Sequence, residues 1–253
     1  MVAQISFKDK VVLITGGVRG IGLATAKAFA EADADIIIAD IEPPDSDVVL
    51  SALEEVRKYG VKVKYYKMDV SNFEEVQKVA DEILKEFGKV DILINNAGIN
   101  RDRLFKDMTK EDWDLVINVD LTGMFNVTKA FINQMIERNY GVIINVSSIV
   151  GLDGNIGQAN YASAKAGVAG FTYALGKELA RYGIRVVGIA PGFTMTRMVE
   201  RVPEKIKERF LKLIPMRRFA KPEEIAKVIR FLASDDASYI TATVVRVDGG
   251  LRI

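Results

Sequence analysis

Short β-branched runs alternate with amphipathic stretches along the whole chain, and this rhythm leaves few folds open. The runs are Val11 to Thr15, Ile36 to Ala39, Val61 to Met68, Ile92 to Asn95, Val142 to Val146, Val186 to Ala190 and Val244 to Val247. They are nearly continuous in apolar residues rather than alternating, as strands covered on both faces require. Helical periodicity falls between them, at Ile21 to Ala32, Ser46 to Tyr59, Asn72 to Phe87, Lys110 to Arg138, Tyr161 to Tyr182 and Pro222 to Ala233. Right-handed crossovers then predict an α/β fold with a doubly wound, seven-stranded parallel sheet and helices on both faces. Ser71, with Glu74 three residues on, reads as the cap of the third helix, and Gly60, Gly88 and Gly183 read as helix ends.

The 253 residues suit one domain, taken as 1–253, with no internal repeat or interdomain linker. Gly192 to Pro215 departs from the strand-helix rhythm, and about residues 193–215 are expected to form a substrate lid. A net charge of +1 offers no field for nucleic acid or anionic lipid. No signal peptide or membrane span is recognised at this stage, so the expectation is a cytoplasmic protein.

The chain has neither cysteine nor histidine. Thiol nucleophiles, Ser-His-Asp triads, disulfides and ordinary zinc sites are thereby excluded, and acid-base chemistry falls to Tyr, Lys, Asp or Glu. Tyrosine and lysine both titrate near 10, so a neutral-pH site built on them needs at least one perturbed group.

Thr15-Gly16-Gly17-Val18-Arg19-Gly20-Ile21-Gly22 lies between the first strand and first helix, where glycines admit a pyrophosphate to the helix amino terminus. Gly16, Val18, Arg19, Gly20, Ile21 and Gly22 are the candidate phosphate-turn residues. Asp40 ends the second strand, where a carboxylate reaches the adenosine ribose hydroxyls, and this favours NAD(H). Arg19 could neutralise the extra phosphate of NADP(H), which therefore stays possible. Asp69 and Val70 close the third strand, with an adenine contact and a plain turn both open. Asn96, Ala97 and Gly98 follow the fourth strand beside the expected crevice.

Tyr161 and Lys165 are four residues apart on one helix face, so an ammonium can favour the phenolate and also hold the nicotinamide ribose. Ser148, thirteen residues earlier, ends the fifth strand on the same sheet edge. Ser147 is its local rival, and bare chemistry does not separate them. Asn118 sits inside a helical run, where asparagine is a poor helix former.

With these motifs in order, the chain resembles the short-chain dehydrogenase/reductase family over nearly every residue. The resemblance implies a Rossmann fold and an Asn118-Ser148-Tyr161-Lys165 tetrad, with Asn118 relaying protons to Lys165 and Ser148 polarising a carbonyl. It also implies cofactor contacts from Pro191, Gly192, Thr194 and Thr196. Within the family the chain is most similar to 3-oxoacyl-(acyl-carrier-protein) reductases, through Asn96 to Asp102, Gly154 to Tyr161 and Asp248 to Leu251. The implied reaction is NAD(P)-dependent reduction of a 3-oxoacyl thioester or related ketone. A general secondary-alcohol or sugar dehydrogenase would share the same residues, and a non-catalytic dinucleotide-binding scaffold the same fold. Acyl carrier protein is an open partner, because Arg138 and Arg181 stand one position before the basic residues such reductases usually offer it. A homotetramer is implied, with a dimer open because Arg252 and Ala242 depart from the usual tail.

Overall fold

The computed structural model describes residues 5–196 and 204–252. Seven parallel strands form one sheet in the order β3-β2-β1-β4-β5-β6-β7. They are β1 (Val11–Thr15), β2 (Asp35–Asp40), β3 (Val63–Lys67), β4 (Ile92–Asn95), β5 (Gly141–Val146), β6 (Ile184–Pro191) and β7 (Thr243–Val247). The third strand is shorter than its apolar run and the sixth is longer.

The strands send alternate residues into two separate cores, which explains their unbroken apolar runs. Val12 and Ile14 of β1 join Ile36, Ile38, Ile92 and Ile94 on one face, under α1 (Gly20–Ala30), α2 (Asp47–Arg57) and α9 (Pro222–Ala233). Leu13, Ile37, Leu93 and Ile143 point to the other face, under α3 (Phe73–Phe87), α5 (Gly123–Arg138) and α7 (Ala159–Leu179). Each such side chain, fully withdrawn from water, contributes about 1.5–3 kcal/mol, so both faces are strongly specified.

Two local expectations are corrected. Asn72, not Ser71, caps α3: its side chain accepts the Glu75 N–H, while Ser71 donates both its N–H and hydroxyl to Asp69 Oδ1. The helix expected from Lys110 to Arg138 is broken into α4 (Lys110–Ile117), a π turn at Asn118–Thr122, and α5. By length and composition this run could cross a membrane, yet half of its most apolar window is buried inside the fold. Two short helices were not foreseen, α6 (Ile149–Asp153) and α8 (Glu204–Leu213). The latter occupies part of the expected lid, while residues 197–203 of that segment lie outside the described residues.

The strand order reverses between β1 and β4. Chains leave those two strands in opposite directions and open a crevice at their carboxyl ends, the place where such sheets bind ligands.

Candidate active site

Among the segments that leave the sheet at this edge are the glycine turn after β1, Asn96 to Gly98 after β4, Ser147 and Ser148 after β5, and Gly192 to Thr196 after β6. The glycine turn is shaped for something that needs backbone rather than side chain. A Cβ on Gly22 would lie 2.1 Å from the Gly16 carbonyl oxygen, so only glycine lets α1 begin there. Arg19, at the N-cap, makes no side-chain capping bond. The first N–H groups of α1 are thus left open toward the crevice, as a pyrophosphate would require. Thr196 stands over the turn, close enough that a methyl on Gly20 would be 3.2 Å from its Cγ2.

At the adenosine end, Asp40 accepts long bonds from the Val18 and Glu42 N–H groups, both at 3.4 Å. Burial raises its carboxyl above the usual range, against those backbone bonds. Arg19 does not sit free beside it: its guanidinium pairs with Glu42 at 2.5 Å. Asp69 uses Oδ1 for Ser71, consistent with its turn reading. Val70 is buried, and its carbonyl accepts from Asn126.

Some candidate binding side chains are engaged within the protein. Asn96 donates to the carbonyls of Thr15 and Gly16 at 2.9 and 3.0 Å, tying β4 to the glycine turn. Ala97 donates its N–H to the Thr15 hydroxyl. Thr194 is buried and donates to the Gly192 carbonyl, whose own N–H goes to Val247 at the end of β7. These residues shape the crevice through backbone placement.

The chemistry-bearing side chains meet where α7 starts. Ser147 is buried and donates to the Lys165 carbonyl at 2.8 Å, so its hydroxyl is engaged within the protein. Ser148 caps α6 by accepting the Val150 N–H at 3.2 Å, and its hydroxyl bears on the Tyr161 phenol, favouring proton loss. Lys165 Nζ lies 5.5 Å from the Tyr161 ring centre and donates to the Val146 carbonyl at 3.1 Å.

Asn118 does not join them. It is exposed on the π turn, and no hydrogen bond or ion pair joins its side chain to Lys165 among the described residues. The partner of Lys165 is Asp120, two residues on, which is 1% exposed and holds Nζ at 3.1 Å. The other oxygen of Asp120 accepts the Ile99 N–H at 2.8 Å. The sequence reading missed this residue because it chose Asn118 for being a poor helix former, a criterion blind to which side chain of the run faces inward.

The electrostatics also differ from expectation. Burial works to lower Lys165, but Asp120 and Tyr161 outweigh it and hold the ammonium charged. Burial raises the Asp120 carboxyl, with the ammonium opposing. For Tyr161, burial raises the phenol, Lys165 lowers it and Asp120 raises it again, with a net upward shift. The ammonium's pull is therefore present but outweighed by burial and Asp120.

Asn160 was also missed. Its fully buried amide donates to the carbonyls of Arg101 and Asp112 and accepts the N–H of Tyr161. A lone asparagine before a tyrosine carries no spacing signal of its own.

Comparisons with known proteins agree with this geometry. The family described as enoyl-(acyl carrier protein) reductase matches over residues 16–252. A 3-oxoacyl-(acyl-carrier-protein) reductase FabG from Thermotoga maritima is 48% identical over 246 residues, covering 97% of this chain and 99% of that protein. An acetoacetyl-CoA reductase from Allochromatium vinosum is 40% identical over 242 residues, covering 96% and 98%. The crystal structure of levodione reductase superposes with a TM-score of 0.92 at 36% identity, covering 96% of this chain and 98% of that one. The chain belongs to the short-chain dehydrogenase/reductase family.

Proposed function

We propose that this protein reduces the ketone of a 3-oxoacyl thioester to a secondary alcohol, using NADH in preference to NADPH. The observation that carries the reading is the meeting of Ser148, Tyr161 and Lys165 beside the open amino terminus of α1. The reductase names of its relatives support the thioester class.

The bound nicotinamide supplies the hydride. The chain's own residues do the rest: the Ser148 hydroxyl and Tyr161 phenol bracket the carbonyl oxygen, and Tyr161 donates the proton that completes the alcohol. Lys165, fixed by the Val146 carbonyl and Asp120, is placed to hold the nicotinamide ribose and to favour proton release by the phenol. The NADH preference rests on two carboxylates, Asp40 and Glu42, at the adenosine end. Arg19 is neutralised by Glu42 and is a poor clamp for an added phosphate. A repulsion of about 1–4 kcal/mol between like charges 4 Å apart is enough to decide between cofactors.

The partners are proposed more narrowly. Arg138 is tied to Asp91 at 2.6 Å, which leaves it less able to meet an acidic carrier protein, while Arg181 stacks on Tyr182 but stays exposed. A thioester on a small carrier such as coenzyme A fits this better. A homotetramer is supported by the half-buried edge strand β7 and by the exposed Phe231 and Tyr239 beside it. Arg252, exposed and paired with Asp248, can remain hydrated at such an interface. We place the enzyme in the cytoplasm, in keeping with its relatives' reactions.

Turnover of acetoacetyl thioester, crotonyl thioester, simple ketones and polyols, each with NADH and NADPH, tests the reading. Acetoacetyl thioester with NADH is the expected best pair. Faster turnover of polyols would replace it with a sugar dehydrogenase, and of crotonyl thioester with an enoyl reductase.

A further inference from the structure

Asp120, Lys165 and Gly98 close on one another at the floor of the crevice. A Cβ on Gly98 would lie 2.8 Å from Asp120 Oδ2 and 3.1 Å from Lys165 Nζ, so bare backbone roofs the ion pair. The Ile99 N–H fixes one end of the pair and the Val146 carbonyl the other. Neither charge can turn to water, since Asp120 is 1% and Lys165 3% exposed. A carboxylate held 3.1 Å from an ammonium cancels much of that ammonium's field at a neighbouring phenol.

We propose that Asp120 is a positioning residue whose carboxylate fixes the Lys165 ammonium and offsets its charge, keeping Tyr161 in the proton-bearing form and setting the enzyme to reduce carbonyls at neutral pH. The inference rests on the reaction proposed above. Reduction needs a phenol that gives a proton to the carbonyl oxygen as the carbon receives the hydride; oxidation needs a phenolate that takes one from the alcohol. Four groups bear on Tyr161: Lys165 from its own helix, Asp120 from the π turn, Asp102 from the loop after β4, and the neutral Ser148 hydroxyl. Two are negative and one positive, which favours retention of the proton.

The test is Asp120→Asn, which keeps the volume and an acceptor for Ile99. Ultraviolet difference titration of the cofactor-free protein against Tyr161→Phe reads the phenol directly. Its midpoint is expected at or above about 10 in the parent, the value of free tyrosine, and about one pH unit lower in Asp120→Asn. The alkaline limb of reduction and the onset of oxidation move down with it. A purely structural Asp120 would lower the melting temperature and both rates with the midpoint unmoved, and that result overturns the proposal. If Asp120→Asn does not fold, the parent alone decides, because a phenol midpoint clearly below that of free tyrosine is incompatible with it. Absence of any carbonyl turnover by the parent would instead strike the proposed reaction, leaving the titration to judge Asp120.

Discussion

Asn160 accepts the backbone N–H of Tyr161 at 2.8 Å, so the residue before the proposed proton donor sets the pitch at which α7 presents it. The same amide donates to Arg101 in the loop after β4 and to Asp112 in α4. Asn160→Ala would orphan two carbonyls and one N–H in a fully buried position. A stability loss of about 2–4 kcal/mol is expected, from the desolvation cost of such groups. Urea unfolding measures it, and kcat should fall more than KM rises.

Tyr161→Phe removes one hydroxyl with little change in packing. Turnover is expected to fall by about a hundredfold or more, the usual worth of a positioned proton donor. NADH affinity, followed by calorimetry, should change by less than threefold. A fall of under tenfold would mean that another group donates the proton.

Asp40→Ala removes one of the two carboxylates at the adenosine end. The ratio of kcat/KM for NADPH to that for NADH is expected to rise at least about fivefold, equivalent to about 1 kcal/mol. Adding Glu42→Gln frees Arg19 from its ion pair and should raise the ratio further.

Asp91 supplies a pH signature on the opposite edge of the sheet. It is buried, and although burial raises its carboxyl, Arg138, the Val11 N–H and Lys89 outweigh that and hold it below the ordinary value. A depressed folded-state pKa contributes stability above the unfolded value of about 3.9, and the contribution is lost as pH falls below it. Stability is therefore expected to drop between about pH 5 and 3. Arg138→Ala should flatten that drop while costing about 2–4 kcal/mol at neutral pH, since Lys89 retains part of the pairing.

The sheet was legible because its signal is redundant: the central strands repeat the same apolar run, and misjudging the ends of the lysine-interrupted β3 or of β6 moves no other strand. Ser148, Tyr161 and Lys165 were legible because they sit at strand and helix ends, where the boundary itself aims the side chain. Asp120 was passed over because Asn118 stood out as a poor helix former in the same run, and that criterion does not show which side chain faces inward. Asn160, and Asn145 bridging Asn95 to Thr172, were hidden for another reason: their partners are distant backbone and side-chain groups brought together only by the fold. The pairing of Arg19 with Glu42 was not legible, because Glu42 lies beyond the end of β2 and only the fold brings the two together.

The π turn at Asn118–Thr122 makes the active centre sensitive to chain length in a way that no substitution reproduces. Excising a single residue there would let α4 and α5 merge into one regular helix, an apparently benign repair. The faces of α4 and α5 would stay where they are, because the turn is what absorbs the surplus residue, and the change would fall on the turn itself, where Asp120 sits. Asp120 would leave Lys165, and a fold with a smoother helix would house a poorer catalyst.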